Sequence, residues 1–135
     1  MQRNTAQRRA IIAAFEHANR PLSPHEALAA AQRENAGLGI ATVYRTIKLL
    51  VADGRLVPVE LPGEPPRYEL AGKHHHHHFH CRTCGRLFEV EGCLDAIRKL
   101  TPAGFELEGH DMLLFGRCAH CVVEAPPRRG TRRRR

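Results

Sequence analysis

The chain has 135 residues, 42% of them hydrophobic, and a formal net charge of +7, enough apolar material for one ordinary domain or two small ones. No run approaches the roughly 20 apolar residues of a membrane span, and the N-terminus lacks the apolar core of a signal peptide, so neither a membrane partner nor export is expected. The charge is local: six arginines between Arg128 and Arg135 leave a body of 15 basic against 14 acidic residues, so basicity does not by itself mark a DNA-binding protein.

In chain order, Thr5 is placed to cap a first helix in which Ile11, Ile12 and Phe15 recur at helical spacing before Asn19-Arg20-Pro21 ends it. Ser23-Pro24-His25-Glu26 reads as a capping box with proline in the first turn, opening a second helix that carries Ala27, Leu28 and Ala31. Ala41 to Asp53 predicts a third helix, with Val43, Ile47 and Leu50 on one face, Tyr44, Arg45 and Lys48 largely on another, and Gly54 as its stop. Leu56 to Leu61 and Arg67 to Leu70 read as two strands joined by Pro-Gly-Glu-Pro-Pro. Three helices and a hairpin compose a winged helix-turn-helix, whose third helix can enter a major groove. The polar face of that helix then reads either as a DNA-contacting surface, with Arg45 suited to bidentate contact with guanine, or simply as the wet side of an amphipathic helix.

The stretch His74 to Cys84, HHHHHFHCRTC, packs six histidines and two cysteines into eleven residues, and Cys118 and Cys121 answer it after a gap of 33 residues from Cys84. Two C-x-x-C knuckles at this separation predict a single four-thiolate zinc site, because each short turn aims two sulfurs at a common point. A redox motif would need only one pair. Five cysteines arranged as two knuckles and one extra suit a reducing cytoplasm better than a disulfide framework. If the histidine run is extended, His74, His76 and His78 face one side and His75 and His77 the other, so two imidazole sets can serve two different metals.

Around this run, His78 to Cys81 and Leu87 to Glu91 predict strands. Leu94, Ile97 and Leu100 suggest a short helix stopped near Pro102. Phe105 to Glu108 and Met112 to Phe115 read as further strands before the second knuckle. The organisation is therefore α+β: a winged-helix domain over 1–70, a small α/β domain over 71–125 and a basic, disordered tail over 126–135.

Thr5-x-x-Arg8, Gly39-Ile-Ala-Thr-Val-Tyr-Arg45, Tyr68-Glu-Leu70, the histidine run into Cys81-x-x-Cys84-Gly85, and Gly-Arg-Cys118-x-x-Cys121 occur here in one order from residue 5 to about 121. Together they resemble the ferric uptake regulator (Fur) family of dimeric, metal-dependent bacterial transcription factors, mostly repressors. The resemblance implies a C-terminal α/β dimerisation domain and a homodimer on palindromic double-stranded operators. Operator contact falls on Thr42, Tyr44, Arg45 and Lys48, and structural Zn²⁺ on Cys81, Cys84, Cys118 and Cys121.

The family's regulatory site, carried over by spacing, falls on Glu69, His76, His78 and Glu89, a donor set suited to Zn²⁺ or Fe²⁺. A further site maps to His75, His77 and His110 with Asp95 as its carboxylate. Cys93 reads as a supplementary ligand or a buried small residue. His25 is the nearest imidazole to the interhelix loop, and its place in the capping box makes it a surface helix residue. Glu89, where the peroxide-sensing branch has aspartate, argues against peroxide sensing. The aspartate-poor histidine run and Cys93 lean toward a zinc uptake regulator, with an iron-responsive repressor as the alternative. A zinc buffer or chaperone would leave Gly39 to Arg45 unexplained and would bind no operator with or without metal. A metallohydrolase would need an open metal position, and these donor sets look saturated.

Overall fold

The computed structural model describes residues 2–93 and 95–124; Leu94 and the arginine-rich tail expected over 126–135 lie outside the described residues. Helices α1 (Gln2–Ala18), α2 (Pro24–Ala31) and α3 (Ile40–Ala52) precede a hairpin of β1 (Leu56–Leu61) and β2 (Glu64–Leu70). Strands β3 (His77–Cys81) and β4 (Leu87–Val90), a 3₁₀ helix at Asp95–Leu100, β5 (Leu113–Gly116) and helix α4 (Ala119–Glu124) follow. No described helix is long and apolar enough to cross a membrane.

The first core forms where the helical periodicities converge. Ile11 and Phe15 of α1, Ala27 and Ala31 of α2, and Val43, Ile47 and Leu50 of α3 pack into one buried cluster with Leu22, Leu38 and Leu56. Each large side chain buried there is worth about 1.5–3 kcal/mol. The capping box closes α2 as its sequence predicts: the Glu26 N–H donates to Ser23 Oγ, and the Ser23 N–H donates to Glu26 Oε1, both at 3.1 Å. Thr5 does not cap α1. The helix begins at Gln2, because nothing in Gln2-Arg3-Asn4 breaks helical backbone, and Thr5 lies inside it.

The hairpin tolerates four prolines because its ladder is arranged around them. Tyr68 spends both backbone groups on Leu22, donating its N–H at 2.9 Å and accepting the Leu22 N–H at 2.8 Å. Pro58, opposite Tyr68, is therefore asked for no N–H. Pro65 and Pro66 fall where the register shifts between Val59 and Leu61, so β2 starts at Glu64, earlier than Arg67. The turn is only Pro62-Gly63, with Gly63 at φ 73°.

In the second sheet β3 is central, antiparallel to β4 (His78 opposite Glu89) and parallel to β5 (His78 opposite Leu113). The stretch Phe105 to Glu108 is not a strand. Its side chains are exposed, and among the described residues it has no neighbouring strand to satisfy its backbone. The three-residue spacing of Ile97 and Leu100 gives a 3₁₀ helix with no buried residue. Helix α4 carries Cys121, the second cysteine of the second knuckle.

Polar contacts join the two halves. Arg67 of β2 donates from Nη2 to the Gly85 carbonyl at 3.0 Å, while its buried Nε stands 3.7 Å from Glu26 Oε1, without a hydrogen-bond partner. The Arg20 guanidinium lies 5.8 Å from the Phe88 ring centroid and pairs with Glu26 at 2.9 Å.

Candidate metal centres and nucleic-acid face

Cys81 ends β3, Cys84 sits in the turn toward β4, Cys118 follows β5 and Cys121 lies in α4. Their sulfurs lie within 4.8 Å of one another, with Cys84 and Cys118 Sγ 3.9 Å apart. The N–H groups of Cys84 and Cys118 donate to Cys81 Sγ at 3.4 and 3.3 Å, and these bonds, that from Cys84 foremost, hold the Cys81 thiol down at about 5. Burial pushes Cys121 up to about 12. Four sulfurs converging on one point form a set that a divalent cation would complete, and the all-sulfur donors fit Zn²⁺.

Glu69 comes from the hairpin side. It is a buried carboxylate, 4% exposed, on β2 opposite Val57. Alternation along the histidine run brings His76 and His78 to it: His76 Nε2 is 2.9 Å from Glu69 Oε1, and His78 Nε2 is 3.2 Å from Oε2. Burial alone would raise the Glu69 carboxyl, but His78 and then His76 outweigh it and hold it below its usual value. Burial likewise opposes a proton on His76, yet the His74 carbonyl, at 2.7 Å from its Nδ1, and the Glu69 carboxylate raise its pKa. Glu89 stands beside this group, with Oε1 3.7 Å from His76 Nδ1, but its Oε2 is held by Lys73 Nζ at 3.1 Å. The sequence reading missed Lys73, because a lysine one residue ahead of a histidine run carries no ligand signal.

The opposite face of the run gathers His75, His77, His110 and Cys93, again within 4.8 Å. The geometry does not bring the expected carboxylate to this group. Asp95 is exposed and outside the cluster, because the 3₁₀ helix opens with it, whereas the turn before it aims the Cys93 sulfur at His110, 2.9 Å away. Cys93 is exposed, not a buried small residue. His77 is fully enclosed, and burial first, then the neighbouring His75 and His110, pushes its pKa down, leaving the neutral imidazole that a metal requires.

On α3, Tyr44, Arg45 and Lys48 are exposed and Thr42 is half-buried, opposite the buried Val43, Ile47 and Leu50. Arg45 Nη2 donates to Thr42 Oγ1 at 3.3 Å. His25, exposed on α2, meets Tyr44 edge-on with ring centroids 6.4 Å apart and joins none of the three donor groups.

Residues 2–115 match the Ferric uptake regulator family. The chain belongs to that family. The ferric uptake regulation protein of Campylobacter jejuni is 33% identical over 122 residues, spanning 87% of this chain and 78% of the relative. The zinc uptake regulation protein of Mycobacterium tuberculosis is 32% identical over 122 residues, spanning 88% and 94%. Among solved structures, the Helicobacter pylori ferric uptake regulator Fur is similar with a TM-score of 0.63 and 26% identity, over 85% of this chain and 79% of that one. Membership places the chain among DNA-binding regulators, not enzymes.

Proposed function

We propose that this Fur-family chain is a cytoplasmic, zinc-responsive repressor that binds palindromic operators of metal-homeostasis genes as a homodimer. The observation that carries the reading is the Glu69, His76 and His78 group, because its carboxylate belongs to the wing strand β2 and its imidazoles to the approach and body of β3. A divalent ion bound there would supply coordination bonds across the two halves of the molecule. Glu69, His76 and His78 would hold it, with Glu89 within reach once released from Lys73. Held together, the two halves fix the tilt of α3, and in a dimer the spacing of two such helices. Moving the operator-competent form from 1% to 99% takes a bias of about 5.5 kcal/mol, within the reach of a few coordination bonds made in only one state. Thr42, Tyr44, Arg45 and Lys48 are the contacts to DNA, and Cys81, Cys84, Cys118 and Cys121 the structural zinc ligands.

The exposed Leu100, Phe105, Leu107, Leu114 and Phe115 of the C-terminal half supply an apolar surface for the dimer contact. Zinc is favoured by the similarity to the mycobacterial zinc regulator over 94% of its length. The similarity to the Campylobacter ferric regulator keeps an iron-responsive repressor as the second reading. The Helicobacter ferric uptake regulator has three functional metal binding sites, and the described residues of this chain gather three donor groups.

The deciding experiment is fluorescence anisotropy on a palindrome from the chain's own promoter region, with protein retaining only its tightly bound zinc. Tightening at sub-nanomolar free Zn²⁺ supports the zinc sensor; tightening with Fe²⁺ or Mn²⁺ near micromolar, without a further zinc effect, moves it to the iron reading. Metal-independent binding overturns the switch. His78→Ala should stay folded and dimeric and lose the metal-dependent gain.

A further inference from the structure

Four donor atoms crowd within 4.8 Å of one another on the side of the histidine run away from Glu69. His75 Nε2 is 3.1 Å from His77 Nε2 and 3.3 Å from His110 Nε2, and His110 and His77 Nε2 are 3.2 Å apart. Cys93 Sγ lies 2.9 Å from His110 Nε2 and 3.4 Å from His77 Nε2. Two nitrogens of a tetrahedral zinc shell are about 3.3 Å apart, and a nitrogen and a sulfur about 3.5 Å, from the usual bond lengths. Hydrogen bonding does not account for this crowding. Each Nε2 carries one proton or one lone pair, so five mutual approaches cannot all be bonds.

The placement has a structural use. Between β4 and β5 the chain runs from residue 91 to 112 with one short 3₁₀ helix, and its own backbone bonds are local, such as Thr101 N–H to the Arg98 carbonyl at 3.2 Å and Phe105 N–H to the Pro102 carbonyl at 3.1 Å. Cys93 and His110 bracket this stretch, and both reach His77, which is 1% exposed at the start of the central strand. Gly92, with φ 92°, makes the turn immediately before Cys93.

We infer that Cys93, in place of a carboxylate, completes a third, closed metal site of three imidazoles and one thiolate, which takes Zn²⁺ in preference to Mn²⁺ or Fe²⁺ and staples residues 93–110 to β3. The sulfur sets the preference: thiolate with imidazole suits zinc, whereas harder ions favour carboxylate and water. Four protein donors leave no open position, which is the mark of a structural site. The inference goes with the sensor reading but stands on different residues, so the two fail separately: the operator titration reports on Glu69, His76 and His78, and a spectrum reports on Cys93.

The test uses the full chain with zinc retained at the four-thiolate site, confirmed by metal analysis before and after anaerobic titration with Co²⁺. The expected result is a near-ultraviolet sulfur-to-cobalt charge-transfer band that saturates with one bound Co²⁺, whatever the Glu69 group takes up. Cys93→Ser loses the band, and Cys93→Asp still binds that cobalt without it. In the parent chain, alkylation of Cys93 is blocked by the same Co²⁺, a readout that needs no variant. Cobalt binding without a band, a band that survives in Cys93→Ser with the original zinc in place, or unchanged alkylation overturns the inference.

Discussion

Lys73 Nζ lies 3.1 Å from Glu89 Oε2 and 3.3 Å from Asn19 Oδ1. The ammonium thus ties β4 to the end of α1 and occupies one oxygen of the carboxylate nearest to the Glu69, His76 and His78 group. Both partners are less than one-fifth exposed, so solvent screens this charge only in part. A cation entering the group meets a fixed positive charge and a carboxylate already engaged. Lys73→Gln should therefore tighten metal binding at this group by about three- to tenfold, with half of the effect or less remaining at high salt. Zinc competition against a chelator of known affinity measures it; weaker binding in the variant would show that Lys73 organises Glu89 for the metal instead of competing with it.

Glu26 makes acid pH informative. Burial alone would raise its carboxyl, but the Ser23 N–H and Arg20 overcome that and lower its pKa from 4.5. The folded chain therefore binds this proton less readily than the unfolded one. The resulting stability is complete above 4.5 and fades as the pH falls through the lower, folded value. Glu26→Gln keeps the cap geometry without the charge and should cost about 1–2 kcal/mol at pH 7. In urea unfolding the gap between parent and variant should shrink below pH 4.5. Acid loss of metal is common to both chains and drops out of the difference. A gap independent of pH would assign the cost to packing alone.

Cys84→Ser tests the four-thiolate group where it is most exposed. Binding energy at such a site is folding energy, on the order of 10 kcal/mol, and this site joins β3, β5 and α4. Loss of zinc should unfold the C-terminal half and leave a monomer by size-exclusion chromatography, while the helical core around Phe15 and Ile47 keeps its far-ultraviolet signal. A dimer with full zinc content would sink the assignment.

What was legible depended on whether the signal was local. The Ser23 and Glu26 box, the two faces of α3 and the paired knuckles are each set by spacings within one turn, and the structure reproduces them. The alternation of the histidine run was equally readable, since side chains of extended backbone alternate even ahead of β3 proper. Phe105 to Glu108 alternates just as well, yet strand formation needs a neighbour, and that depends on tertiary placement. Cys93 against Asp95 turned on the glycine turn at Gly92, which fixes direction but leaves no periodic trace. Lys73 acts through Glu89, 16 residues on, a partnership visible only once β4 is folded beside it.

Arg45 separates reading from mere adhesion. Its guanidinium is exposed on α3 and held toward Thr42 by the 3.3 Å contact, so the side chain is partly ordered before it meets DNA. If it reads a guanine edge, Arg45→Ala should cost about 1–3 kcal/mol on the cognate operator and leave random DNA nearly unaffected. If it touches only phosphate, both DNAs should lose affinity alike and the salt dependence should flatten by about one counterion. Thr42→Val refines the outcome. It keeps the shape and removes the oxygen that orients Arg45, so a base-reading arginine should lose part of its specificity, whereas a phosphate contact, tolerant of angle, should not respond. Anisotropy titrations on both DNAs at two salt concentrations separate these cases, because specificity and salt slope move independently.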